Sequence, residues 1–189
     1  MSDSRLTLVT RAADFAARAH VTQHRKGLAE EPYVNHLTEV ANLLAEATGG
    51  EDAELIAAAY LHDTLEDTAT AYEDLVKQFG VDVAKLVGEV TDDKSLPKAE
   101  RKRLQVEHVT EKSPRAQLLK IADKTSNLRA LVTSTPAGWS KARLMEYIEW
   151  AEAVVSQVRG RNPMLDAEFI AARDNARREI STKIDEEPA

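Results

Sequence analysis

The sequence contains no cysteine, and this absence excludes disulfide bridges and thiolate metal sites. Any transition-metal site must therefore be built from histidine and carboxylate side chains. No apolar run reaches the roughly 18 residues that mark a membrane-spanning helix. The first residues, Met-Ser-Asp-Ser-Arg, lack the apolar core of a secretory signal. We therefore expect a cytoplasmic protein with no membrane partner.

Aromatic residues are also scarce, at 5% of the chain, while alanine is abundant. That balance favours close-packed helices over a sheet rich in aromatic and β-branched residues. The formal net charge is -7, which argues against a general nucleic-acid-binding surface. An anionic small molecule would bind such a chain only through a local cluster of cations or a bound metal ion.

The 3.6-residue period of the apolar side chains predicts an all-α chain of about eight to ten helices. We find no internal repeat and no linker, so we expect one compact domain over residues 1–189, with a frayed tail at 185–189. The third helix is predicted to run over residues 52–66 and is almost entirely apolar from Leu55 to Leu61. The other predicted helices lie near residues 7–20, 37–47, 75–79, 83–90, 98–110, 114–131, 144–158 and 163–180.

Four polar side chains stand at the ends or on the apolar faces of predicted helices: His36, His62, Asp63 and Asp123. Two imidazoles and two carboxylates form a suitable ligand set for Mn²⁺, Fe²⁺ or Zn²⁺. His62 and Asp63 are adjacent, so on a helix their side chains point about 100° apart. Both can bind one ion only if the ion lies beside the helix, between the two directions. The other two must come from neighbouring helices.

Three further polar residues follow these four at helical spacing. Glu66 and Asp67 lie one turn after the His-Asp pair, and Asn127 lies one turn after Asp123. A metal ion lowers the pKa of bound water and offsets phosphate charge, while a nearby carboxylate transfers the proton. The spacing is therefore typical of a hydrolytic site.

Each motif also has a plainer interpretation. A His-Asp pair is common by chance, residues 62–68 could be a polar helix end, and Glu66 and Asp67 could be solvated. Asp123 could pair with Lys124 at the surface. We interpret His20, His24 and His108 as structural or surface residues. The ordered combination across three helices is what favours the functional interpretation.

That order, H…HD…D, is the pattern of the HD superfamily. The segments that carry a closer resemblance are HVTQHRK at 20–26, PYVNH at 32–36, LHDTLEDT at 61–68, VTDDK at 90–94 and KIADKTSNL at 120–128. They resemble the hydrolase domain of RelA/SpoT proteins. Residues 91–105 and 138–147 are similar to the small alarmone hydrolases of the metazoan SpoT-homologue type. The resemblance covers roughly residues 5–180, so it also implies an HD-type bundle.

The resemblance implies a Mn²⁺-dependent 3′-pyrophosphohydrolase that converts ppGpp to GDP and pppGpp to GTP, releasing pyrophosphate. Fe²⁺ and Zn²⁺ are the less favoured ions. It implies that the metal ligands are His36, His62, Asp63 and Asp123 and that Glu66 and Asp67 handle the attacking water. The substrate-binding residues would include Asn127, Arg25 and Lys26.

Three more candidates come from the residues themselves. Lys98 is the member of the basic segment 94–103 that we expect at the site, because the rest of that run suits a solvated helix face. Arg143 and Tyr147 share a helix face at i, i+4. Tyr147 could stack on a base or bind a phosphate, or it could pack in the core.

The chain departs from the RelA/SpoT pattern at two places: Leu37 replaces the proline that usually follows the first ligand, and Glu30-Glu31 replace a glycine. Both bear on the loop at 26–33 and hence on substrate choice. The alternatives are therefore hydrolysis of another nucleotide (ppApp, NADPH or a dNMP), a non-catalytic alarmone-binding module, or a purely structural domain. We expect a monomer or a homodimer.

Overall fold

The structure is a computed structural model that describes residues 4–182. Within that range the chain forms ten α-helices and one 3₁₀ turn, with two isolated β-bridges and no strand, which confirms the all-α prediction. The α-helices run in order: α1 Arg5–Ala19, α2 Val34–Ala47, α3 Ala53–Leu61, α4 Thr64–Asp67, α5 Tyr72–Phe79, α6 Val81–Val90, α7 Lys98–His108, α8 Pro114–Thr133, α9 Lys141–Ser156 and α10 Pro163–Ser181.

Local capping chemistry sets most of these boundaries. Ser113 and Asn162 accept hydrogen bonds from the first turns of α8 and α10, and a proline occupies the first turn of each. Such polar caps satisfy backbone N–H groups that have no partner inside the helix. Gly80 separates α5 from α6 with a φ of 88°, a conformation that favours glycine.

The continuous helix predicted over residues 52–66 is wrong, because it breaks at His62 and Asp63. The Thr64 hydroxyl donates to the Leu61 carbonyl at 2.6 Å, and His62 Nδ1 donates to the Ala59 carbonyl at 2.7 Å. Side-chain hydrogen bonds to these carbonyls compete with the backbone hydrogen bonds of an α-helix. The chain turns between α3 and α4, and this turn places the His-Asp pair at a corner.

Two helices form the centre of the bundle. The apolar helix α3 packs against α1, α2, α6 and α8, and α8 packs in addition against α9 and α10. Helix α8 is unusual because four of its fully buried positions are polar or charged beyond the hydroxyl residues: Gln117, Lys120, Asp123 and Lys124. Buried charges need partners. Asp123 faces the histidines of α2 and of the end of α3, Lys124 binds Asp123, and Lys120 binds the last carbonyl of α6.

No helix among residues 4–182 is both long enough and apolar enough to cross a membrane. The frayed tail predicted at 185–189 lies outside the described residues. The cytoplasmic location, the single domain over 1–189 and the oligomeric state stay predictions from the sequence.

Candidate metal centre and nucleotide cavity

The four predicted ligands meet at one point in the interior of the bundle. Nε2 of His36 lies 3.4 Å from Oδ1 of Asp123 and 3.7 Å from Oδ2 of Asp63. Nε2 of His62 lies 3.1 Å from Oδ2 of Asp63 and 3.9 Å from Oδ1 of Asp123. Metal–ligand bonds of about 2.0–2.2 Å place neighbouring ligand atoms about 3–3.6 Å apart. Two of the four distances fall in that range and the other two exceed it by 0.1 and 0.3 Å, so the atoms are spaced closely enough to share one ion.

Hydrogen bonds at the far side of each imidazole fix its tautomer. The Ala59 carbonyl can only accept, so His62 Nδ1 carries the proton. Ser126 donates its hydroxyl proton to Glu39 at 2.6 Å, so the same oxygen must accept from His36 Nδ1 at 2.9 Å. In its neutral form, each ring therefore turns an Nε2 lone pair toward the two carboxylates, as metal ligation requires.

The carboxylates are held equally firmly. Tyr33 Oη donates to Asp63 Oδ2 at 2.6 Å. Lys124 Nζ donates to Asp123 Oδ2 at 2.8 Å, while Asn127 Nδ2 donates to Asp123 Oδ1 at 2.6 Å. Lys124 thus binds the oxygen of Asp123 that points away from the imidazoles, while Oδ1 faces both imidazoles and also accepts from Asn127.

Electrostatics favour charged carboxylates here despite their burial. Burial disfavours ionised Asp63, but the two histidines hold its pKa well below the usual range. Burial likewise opposes ionisation of Asp123, but Lys124 lowers the pKa well below the ordinary aspartate value. Burial also opposes the charged form of His62, yet Asp63 and Asp123 outweigh it and raise that pKa to about 9. The cluster attracts positive charge.

A divalent cation fits this donor set. His62 Nε2 is buried without a hydrogen-bond partner, although it faces two carboxylates. Ligand atoms of His36, His62 and Asp123 all lie within 4.8 Å of one another. An unsatisfied buried nitrogen is costly, and a metal ion in place of a proton would satisfy it. The nitrogen and oxygen donors suit a borderline divalent ion.

The two predicted catalytic carboxylates flank the cluster on α4. Glu66 is half-buried and accepts the backbone N–H of Asp92 at 2.7 Å. Burial raises the pKa of Glu66, and the Asp92 amide opposes this rise. Asp67 is exposed, lines the neighbouring cavity and pairs with Lys94. Residues 92–94 thus contact both carboxylates.

A cavity of about 320 Å³ lies beside the cluster. Small-molecule sites range over about 300–1,000 Å³. Tyr33 and Asn127 belong to its wall and also bind the two aspartate ligands, so the cavity reaches the cluster through them. Its wall includes six of the predicted site residues: Arg25, Lys26, Asp67, Lys98, Asn127 and Tyr147.

The individual substrate candidates differ in their contacts. Arg25 donates to Asn127 Oδ1 at 3.0 Å, so its guanidinium is already oriented at the cavity wall. Arg143 does not line the cavity, but it stacks 4.2 Å from the ring centre of Trp139, which does. Tyr147 combines both roles left open by the sequence: it packs against Trp139 and Trp150 and lines the cavity.

Comparison with known proteins agrees with this geometry. A family model described as the HD domain matches residues 12–149, which is most of the chain. The chain belongs to the HD-domain family. The matched residues of this HD domain include the corner at His62-Asp63, the four clustered side chains and most of the cavity wall.

Relatives of this HD domain confirm the resemblance to the small alarmone hydrolases. The guanosine-3′,5′-bis(diphosphate) 3′-pyrophosphohydrolase MESH1 of Homo sapiens is 52% identical over 155 residues, covering 82% of this chain and 87% of the relative. Its counterpart in Xenopus tropicalis is 49% identical over 162 residues, with coverages of 86% and 90%. A solved structure of a metazoan orthologue of SpoT that hydrolyses ppGpp matches with a TM-score of 0.86 and 43% identity, covering 93% of this chain and 97% of that one.

Several residues that shape the site of this HD domain were missed from the sequence. Tyr33 appeared there only as part of a motif, yet it binds Asp63 directly. Ser126 and Glu39 orient His36, and Trp139 forms part of the cavity wall. Asn127 and Asp123 gave a signal through helical spacing. Ser126 also appeared only inside a quoted motif, and its partners His36 and Glu39 are 90 and 87 residues away in the sequence.

Proposed function

We propose that this chain hydrolyses the 3′-pyrophosphate of (p)ppGpp, giving GDP or GTP and pyrophosphate, with one bound Mn²⁺ ion. The observation that carries the proposal is the convergence of two imidazoles and two carboxylates beside a cavity with cations in its wall. The relatives match over most of their length, and the ppGpp hydrolysis for which they are known supports the same substrate.

In this proposal His36, His62, Asp63 and Asp123 hold the ion. Mn²⁺ is the ion that the resemblance to the alarmone hydrolases implies, and the same two imidazoles and two carboxylates would also suit Fe²⁺ or Zn²⁺. When bound, the ion lowers the pKa of a water molecule and offsets phosphate charge. Four hydrogen bonds orient these ligands. Ser126 binds His36, the Ala59 carbonyl binds His62, Tyr33 binds Asp63 and Lys124 binds Asp123.

Glu66 and Asp67 handle the proton. A water oxygen forms a bond to the phosphorus that carries ribose O3′, the bond from that phosphorus to O3′ breaks, and O3′ takes up a proton. Glu66 accepts the proton of the attacking water, because burial raises its pKa toward the range of an effective base. Asp67 orients the water from the cavity side.

The cavity wall provides the substrate contacts. Arg25 and Lys26 face the phosphates, and a guanidinium can bind two phosphate oxygens at once. Asn127 is close enough to Asp123 to contact the ribose beside the ion. Lys98 and Arg143 flank the ring of Trp139 at 5.8 and 4.2 Å and place positive charge at the cavity mouth.

The alternatives differ in what they predict for turnover. A non-catalytic alarmone-binding module would not need Glu66 and Asp67, and both are present beside the cluster. Another nucleotide substrate, such as ppApp, NADPH or a dNMP, would use the same ion and a different fit in the cavity. A cytoplasmic small-molecule enzyme without a nucleic-acid or membrane partner is the corresponding cellular prediction.

The test is a side-by-side turnover assay of ppGpp, pppGpp, ppApp, NADPH and dNMPs in the presence of Mn²⁺. We expect the highest kcat/KM for ppGpp or pppGpp, with pyrophosphate and GDP or GTP as products. Tight ppGpp binding without turnover would instead identify a binding module. A higher kcat/KM for another nucleotide would reassign the substrate.

A further inference from the structure

Helix α8 buries a lysine that the proposed mechanism does not use. Lys120 is 6% exposed, and its ammonium donates to the backbone carbonyl of Val90 at 2.7 Å. Burial lowers its pKa and the neighbouring Lys124 adds to that effect, whereas Asp123, Asp92 and Glu66 favour its charged form. A buried ammonium group is costly, so its position needs an explanation.

The partner of Lys120, Val90, is the last residue of α6 and lies two residues before the amide that binds Glu66. Val90 ends α6, where carbonyl groups lack helical partners and a cation is favourable. Two residues later, the backbone N–H of Asp92 binds Glu66 Oε1 at 2.7 Å. Lys120, the end of α6, the Asp92 amide and Glu66 therefore form one continuous chain of contacts.

We propose that Lys120 is a positioning residue that fixes the end of α6 and, through the Asp92 amide, holds Glu66 in its working orientation. This inference rests on the proposed hydrolase function. Lys120 itself touches neither substrate nor metal in this account. Its removal should therefore lower kcat while the Kd for Mn²⁺ and the KM for ppGpp change little.

The chain offers a matched control at the same helix end. Lys112 donates to the carbonyl of Glu89, the residue before Val90, and thus also places an ammonium group on the α6 terminus. The side chain of Glu89 accepts the backbone N–H of Ser113, at the start of α8. Replacing Lys112 removes an equivalent carbonyl contact without touching the route to Glu66.

The experiment compares Lys120→Met, Lys120→Gln and Lys112→Met with the wild type. For each we would measure the circular dichroism melt, the Mn²⁺ affinity by calorimetry, and kcat and KM for ppGpp. Lys120→Gln removes the charge but retains a donor, so it serves if Lys120→Met does not fold. We expect kcat to fall about a hundredfold in Lys120→Met, since moving a catalytic group by about 1 Å costs on that order. Lys112→Met should stay within about threefold of the wild type, because Lys112 is half-buried and binds Glu89, which lies outside the route from Val90 to Glu66.

Several results would overturn the inference. A folded Lys120 variant with wild-type kcat would do so, as would equal losses in the Lys120 and Lys112 variants. A loss confined to Mn²⁺ affinity would assign Lys120 to Asp123 instead of Glu66. If the wild type itself does not hydrolyse ppGpp, the proposed function fails separately. A crystal structure of the folded Lys120 variant then decides the positioning, because Glu66 should leave the Asp92 amide.

Discussion

Replacing Ser126 by alanine tests the hydrogen bonds that prepare His36 for a metal ion. Ser126 accepts from His36 Nδ1 at 2.9 Å and donates to Glu39 at 2.6 Å, so a single hydroxyl fixes the tautomer. His36 is only 1% exposed, and water cannot readily take the place of that hydroxyl. An unsatisfied buried donor costs about 1–3 kcal/mol, and loss of an outer contact to a ligand weakens metal binding about 10–100-fold.

We therefore expect the Kd for Mn²⁺ to rise about 10–100-fold in Ser126→Ala, equivalent to about 1.4–2.8 kcal/mol. The matched control is Thr125→Val, because Thr125 is equally buried on the same helix but donates only to the Ile121 carbonyl. Calorimetric titration of the metal-free proteins gives both values. If Ser126→Ala binds Mn²⁺ as tightly as the wild type, our account of the His36 tautomer is incorrect.

Further predictions concern the ligands, the base and the cavity wall. Asp63→Ala should lose calorimetric Mn²⁺ binding, whereas Glu66→Gln should retain it and lose about 10²–10⁴ in kcat; equal metal loss in both would contradict the division of roles. Burial raises the pKa of Glu66 above the ordinary glutamate value of 4.5, and its base form is lost as pH falls through that raised pKa. The acidic midpoint of the kcat profile should therefore lie above pH 4.5. A midpoint at or below pH 4.5 would show that another group sets it. A Cβ added to Gly27 would overlap the hydroxyl and carbonyl of Ser134, so Gly27→Ala should lower the free energy of unfolding by about 1–3 kcal/mol in a denaturant melt. Gly27 also lines the cavity, so the KM for ppGpp should rise. Unchanged stability would mean that this loop moves freely.

Sequence patterns predicted the helical fold well where local chemistry decides it. The helices predicted to begin near residues 114 and 163 do begin there, where Ser113 and Asn162 cap them, and Gly80 separates the two short helices predicted on either side of it. The break between α3 and α4 was not predicted, because the spacing of Asp63, Glu66 and Asp67 also fits one helix that continues past Leu61. The bonds from His62 and Thr64 to helix carbonyls depend on side-chain orientations that periodicity does not contain.

In the site, too, the sequence predicted some features and missed others. Ordered histidines and aspartates predicted which side chains would meet, and their residue types predicted an ion. The residues that orient these ligands could not be predicted, because they are distant in sequence: Tyr33 and Asp63 are 30 residues apart, and Glu39 and Ser126 are 87 apart. Such contacts arise from packing of separate helices, so no local spacing reveals them.

The most direct test of the central claim uses protein stripped of metal by a chelator and then titrated with Mn²⁺ during ppGpp hydrolysis. We expect negligible release of pyrophosphate from the stripped protein and full recovery when one ion per chain has bound. Undiminished hydrolysis after the metal is removed, or recovery that needs a second ion, would contradict the single four-ligand site.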